Sequence, residues 1–235
     1  MSNAHYSPSN SLARKYVELR SDLNNATDIQ EQKHLINSFL NGIDGAEELR
    51  NYRMLVEPLL AEALSAEGKH HEACLMLQRV IDSNKKIKSI ISLKICDILL
   101  KMNQIGQAVS VILECMDTET DMITQLSLFT WLSTHVKNFD AEFANRKDQI
   151  KMIQQELGIR SPEGLNLNEL VTFLKAEITR ADRRFSAAKK MIFNRKTTEE
   201  HIVGLQNYID HEEVTIYKSY AELHIQSLQN SLPKD

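Results

Sequence analysis

Residues that break helices are scarce, with only seven glycines and four prolines among 235 residues. Leu, Ile, Ala, Glu, Lys and Gln are abundant instead, so sheet is disfavoured throughout and the expected class is all-α. Cysteine is scarce too. Cys74, Cys96 and Cys115 make an odd count with no close pair, which excludes a disulfide framework. They read as buried free thiols in a reducing, cytoplasmic setting. No run of about 18 apolar residues occurs, so no membrane span is expected, and the polar N-terminus lacks the apolar core of a signal peptide. Neither sign of charge dominates: 28 Lys and Arg against 32 Asp and Glu leave −4, too little to steer the whole molecule to nucleic acid or anionic lipid. Also missing are a phosphate-cradling glycine loop, a nucleophile elbow, a zinc signature and a kinase-like motif. No catalytic residues, cofactor or metal are expected. What remains, at 42% hydrophobic, is enough apolar material for a core in one or two domains.

The stretch from Met54 to Asp117 is a unit of about 35 residues written twice. With Ala73 aligned to Ala108, Leu77 matches Ile112 and Val80 matches Cys115. Upstream, Leu60, Ala61 and Leu64 match Ile95, Cys96 and Leu99. Gly68-Lys69 turns the first copy and Asn103-Gln104 with Gly106 the second. This pattern resembles the tetratricopeptide repeat, a helix-turn-helix unit with a large residue beside a small one in its first helix and an alanine-spaced second helix. The family's closing proline is replaced by Lys85. The resemblance implies an α-solenoid of antiparallel helix pairs over residues 1–157. It further implies a concave groove, lined by the first helix of each unit, that receives a peptide or helix of a protein partner. Carried onto this chain, the partner-binding positions are Glu62, Ser65, Asp97 and Lys101. The Lys, Asn and Arg pattern with which the family captures a C-terminal carboxylate is not evident. Solvated helix residues that bind nothing are the alternative at each position.

Before the repeat, Leu12, Tyr16, Leu19 and Leu23 recur at helical spacing, as do Leu35, Ile36, Phe39 and Leu40. Thr27 is placed to cap the second of these helices, and Asp44 with Glu47 to open a third segment. Pro58 requires that the first repeat helix either start near Glu57 or kink. After the repeat, Leu128, Trp131, Leu132 and Val136 suggest a degenerate third copy, with Ala144 near the repeat alanine but Asp148 where an apolar residue belongs. Trp131 is then core or a groove contact. His70 and Cys74 stand one turn apart, a spacing able to share a metal, yet no second ligand pair lies nearby.

Gly158 to Gly164, with Pro162, is the strongest break and the expected linker. Beyond it, in residues 165–235, Val171, Leu174, Ile178, Ala181, Phe185, Ala188 and Ile192 form a heptad seam. Thr197 and Glu200 fit a capping box, and Ile202, Leu205, Ile209, Ile216 and Leu223 continue the seam past Glu212. The expectation is a long C-terminal helical hairpin, a coiled coil whose outer face leaves homodimerisation open. Its basic stretch from Lys175 to Lys196 should meet Glu199, Glu200, Asp210, Glu212 and Glu213 of the returning helix, which disfavours nucleic acid as its partner.

Two functions fit this pattern. One is a non-enzymatic interaction scaffold, adaptor-like or chaperone-like. The other is a peptide-sensing regulatory domain of a bacterial signalling protein or transcription regulator, with the C-terminal coiled coil as transmitter. Ser2-Asn3-Ala4 reads equally as the remnant of tag removal and as a native start; a remnant would fit a fragment of something longer.

Overall fold

A computed structural model describes residues 10–26, 28–193 and 197–231. Among these the structure is all-α, with twelve helices and no strand. The chain divides into two compact units, Met1–Thr118 and Glu119–Asp235.

The first unit runs α1 (Asn10–Asn25), α2 (Ile29–Asn41), α3 (Ala46–Ala66), α4 (His70–Ser83), α5 (Lys88–Lys101) and α6 (Ile105–Met116), each packed on the next. Asp28 caps α2, its carboxylate accepting from the Glu31 amide at 2.8 Å. Thr27, expected in that role, lies outside the described residues. Asp44 makes no cap either, because α3 starts after Gly45 without a side-chain cap. The helix does not start near Glu57, the first of the two expectations for Pro58, since α3 runs from Ala46 through the buried proline. A ring without an N–H leaves the Met54 carbonyl lacking its intrahelical donor. Tyr16, Phe39 and Tyr52 form an aromatic triangle, centroids 5.5 to 6.1 Å apart, that ties α1 to α2 and α3.

The duplicated register recurs at the level of single hydrogen bonds. Ala73, Leu77 and Val80 are buried at 0 to 1% exposure, and Ala108, Ile112 and Cys115 at 0%. Ala61 and Cys96, the small residues of the first helices, are both at 0%. At the end of α3 the Lys69 amide donates to Leu64 O (2.9 Å) and Gly68 to Ser65 O (3.1 Å). At the same place after α5, Gln104 donates to Leu99 O (2.9 Å) and Asn103 to Leu100 O (2.9 Å). Gly68 (φ +82°) and Asn103 (φ +57°) both take the left-handed conformation that closes such a helix end, open to Gly and tolerated by Asn.

The second unit contains α7 (Met122–His135), α8 (Phe139–Glu142), α9 (Lys147–Glu156), α10 (Leu167–Phe193), α11 (Thr198–His211) and α12 (Thr215–Ser231). Here the third copy fails in its second half. Asn138 is left-handed (φ +58°), α8 is a single turn, and a 3-10 turn at Ala144–Arg146 precedes α9. Ala144 is exposed, so no tight helix contact forms around it. Trp131 is buried at 8% exposure, its ring 4.6 Å from that of His135.

The expected linker at 158–164 falls inside this unit, tied down at its start and exposed over Pro162 to Gly164. Thr215 donates its amide to Leu157 O at 3.0 Å, Ile159 is buried, and Gln154 ties both Ile159 O (3.1 Å) and Ser161 Oγ (2.9 Å). Gly158 has φ +69°, and a Cβ there would stand 2.4 Å from Thr215 Oγ1. The glycine is therefore favoured by its left-handed conformation, and a larger residue would also have to displace the Thr215 hydroxyl.

Helices α10 and α11 form the expected antiparallel hairpin, with the Phe185 ring tilted against Tyr208 at 5.3 Å between centroids and Arg184 reaching Glu212. The returning arm does not continue to Leu223 as one helix. It stops at His211, and α12 folds back on both α11 and α10. Thr197 and Glu200 make the predicted capping box.

Candidate functional site

The positions singled out in the first unit lie on α3 and α5, and side chains bridge these helices twice. Glu62 is ion-paired with Lys94, a residue that sequence reasoning did not select. Ser65, buried at 3% exposure, accepts from Lys101 Nζ at 3.2 Å and lies 3.3 Å from His70 Nδ1. The structure thus brings Ser65 and Lys101 together directly. Lys94, Asp97 and Lys101 recur at steps of three and four on α5, which puts them in one stripe. Asp97 and Lys101 are exposed along it.

The same corner carries Glu67, which accepts from Gln30 and Lys33 of α2 and from Lys69 (3.1 Å). The bond from Lys33, followed by that from Lys69, holds its carboxyl below the usual carboxylate range. A cleft of about 300 Å³ between α1, α2 and α3 is lined by Arg20, Gln32 and Glu62 among others, so Glu62 stands between that cleft and α5. Ser65, Asp97 and Lys101 do not line it. The arrangement offers alternating charge on rigid helices.

The thiols add no reactive centre. Cys96 is fully buried, donates weakly to Ala108 O at 3.4 Å, and is pushed up to about 12 by burial. Burial raises Cys74 as well. Thiolate nucleophiles need the opposite shift. Among the described residues no group of three His, Cys, Asp or Glu side chains is placed to hold a metal, and no helix is long and apolar enough to cross a membrane.

The second unit holds a different kind of polar site. Glu212, between α11 and α12, has a side chain at 0% exposure. It accepts from Arg184 Nε (3.0 Å) and Nη2 (2.7 Å), from Tyr208 Oη (2.8 Å) and from the Glu213 and Val214 amides (3.0 Å each). Burial opposes its charge, but Arg184, Val214 and Tyr208 outweigh burial and hold the carboxyl below its ordinary range. Tyr208 is pushed up by burial and by its bond to Glu212. The neighbouring Tyr217 donates to Asp182 Oδ1 at 3.3 Å. Of the charge pairs expected between the two hairpin arms, this one is formed. Arg180 instead pairs with Glu177 on its own helix, and Lys189 lies over the Phe185 ring at 5.5 Å. With every oxygen satisfied, Glu212 is a joint that fixes three helices.

Compared with protein-family models, with curated proteins and with solved structures, the chain gives no match.

Proposed function

We propose that the chain is a non-enzymatic protein-interaction scaffold of the tetratricopeptide kind, adaptor-like or chaperone-like, working in the cytoplasm. A peptide or helix of a protein partner would lie along the α3 and α5 stripe and be read by Glu62, Asp97 and Lys101, with Ser65 buried beneath them and holding Lys101 in place. The observation that supports this best is the recurrence of one register, from Ala61, Ala73 and Leu77 to Cys96, Ala108 and Ile112, together with identical turn hydrogen bonds at both helix ends. Repeated helix pairs present rigid surfaces, so a docking segment loses freedom while the scaffold loses little. Exposed ion pairs such as Glu62 with Lys94 are worth only about 0–1 kcal/mol, so a partner's charges can replace them at small cost.

The regulatory reading, with the C-terminal hairpin as transmitter, is less well supported. Val171, Leu174 and Ala181 of the α10 seam are already buried at 0% exposure within the unit, where α7, α11 and α12 pack on α10. The test is affinity for a partner captured from the source cell and then purified. Replacing Glu62 and Asp97 by Lys and Lys101 by Glu together should weaken it about tenfold or more. Unchanged affinity would remove the α3 and α5 face from the site.

A further inference from the structure

Helix α3 has a second polar face that the groove reading does not use. Arg50, Arg53 and Glu57 follow one another at steps of three and four, so they share a stripe. Five residues separate Glu57 from Glu62, which at about 100° per residue turns them roughly 140° apart around the helix. Arg79, from α4, joins the stripe across a cleft of about 500 Å³ whose walls also include Leu49, Met54 and Val80. All three arginines are exposed, and among the described residues none is tied up in an ion pair. Glu57 is the single carboxylate lining the cleft, half-buried and close enough to Arg53 and Arg79 to feel their charge. Its burial raises its carboxyl despite them. Two positive charges remain in excess even with Glu57 ionised.

We propose that this cleft between α3 and α4 binds a phosphorylated side chain of a protein segment. A phosphate monoester carries about −1.5 to −2 near neutral pH, which matches the excess charge, and guanidinium forks pair with phosphate oxygens two at a time. The aliphatic walls suit the residues flanking a phosphoserine or phosphothreonine. No aromatic ring lines the cleft for a base to stack on, and nucleic-acid phosphates are monoanionic diesters strung along a backbone, so a polynucleotide fits it less well. The preference for a doubly charged anion comes from the three guanidiniums, and Glu57, which repels any anion, weakens binding without setting that preference. The proposal does not rest on the α3 and α5 face, which lies on the other side of α3.

The experiment is fluorescence anisotropy with a labelled peptide pool in which randomised residues flank one phosphoserine, set against the same pool unphosphorylated. Phosphorylated peptide should bind about tenfold or more tightly, and Arg53→Gln with Arg79→Gln should remove that preference while melting curves stay unchanged. Glu57→Gln should tighten binding several-fold, a gain that a damaged fold would not produce. Reversing Glu62 should leave it alone. Equal binding of the two pools, or none, overturns the proposal. So does displacement by a single-stranded oligonucleotide more readily than by unlabelled phosphopeptide, or inorganic phosphate binding as tightly as the phosphorylated pool.

Discussion

The first unit joins its repeated helices through small residues, and the second fixes its last three helices through a buried charge. Ala73 and Ala108 lie at 0% exposure, and Ala73 shares an apolar cluster with Leu64, Leu77, Val80 and Ile91. Glu212 is just as buried, yet its neighbours are a guanidinium, a phenol and two backbone amides. Apolar contacts do not titrate and tolerate many exchanges of similar volume. A buried carboxylate is intolerant, because each donor it satisfies is orphaned when it goes. The two units should therefore fail for different reasons.

The largest effect expected is at Glu212. Removing one partner of a buried pair costs about 3–5 kcal/mol, and the low end applies because the Arg184 side chain keeps 47% exposure. Glu212→Ala should thus destabilise the second unit by about 3 kcal/mol, read through the fluorescence of Trp131, the one tryptophan of the chain, which lies in α7. Amide protection of α4 to α6 should not change. The folded carboxyl titrates below the unfolded value of about 4.3, so its contribution is present in full above about pH 5 and fades as pH falls through the folded pKa. The stability gap between the natural chain and Glu212→Gln should shrink below about pH 4. A gap independent of pH would mean that the charge is not what holds the joint.

Next comes the alanine register. Ala73→Leu or Ala108→Leu inserts three carbons where helices touch, and overpacking of that size costs about 1–3 kcal/mol. Hydrogen exchange should show faster opening of α3 to α6 in either variant while Trp131 fluorescence melts as before. Equal costs at the two sites would support true equivalence of the copies. No cost at either would dissolve the repeat reading.

The difference between the units also decides what could be read in the sequence. Ala73, Leu77 and Val80 announce a buried helix face because periodic apolar spacing is a local signal, and Gly68 and Asn103 at the helix ends are residue types with a conformational reason to be there. Glu212 sends no such signal. On a helical wheel it interrupts a seam and reads as surface, and only its hydrogen bonds with Arg184 and Tyr208 reveal a buried joint and the end of α11. Gly158 to Gly164 has the composition of a linker, but Thr215, distant in sequence, returns to bond Leu157 and ties the start of the segment into the second unit. Lys94 is not legible in the sequence, because a charged residue on a helix surface carries no mark of its partner. Arg79 was missed for the same reason, as its approach to Arg50 and Arg53 depends on how α4 packs against α3.

The smallest expected effect tests whether the α3 and α5 stripe is structural at all. The Glu62 and Lys94 side chains keep 53% and 37% exposure, so water screens the pair, and holding two long side chains costs entropy that offsets much of the attraction. A double-mutant cycle with Glu62→Ala and Lys94→Ala should give a coupling of about 0.5 kcal/mol or less, fading further as salt is raised. That is well below the cost expected at Ala73, although the two positions lie on neighbouring helices. A coupling above about 1 kcal/mol would make the pair part of the framework that joins α3 to α5, and these groups would then be poorly suited to exchange for a partner's charges. A coupling near zero leaves them free to be exchanged, as a surface that recognises a partner requires.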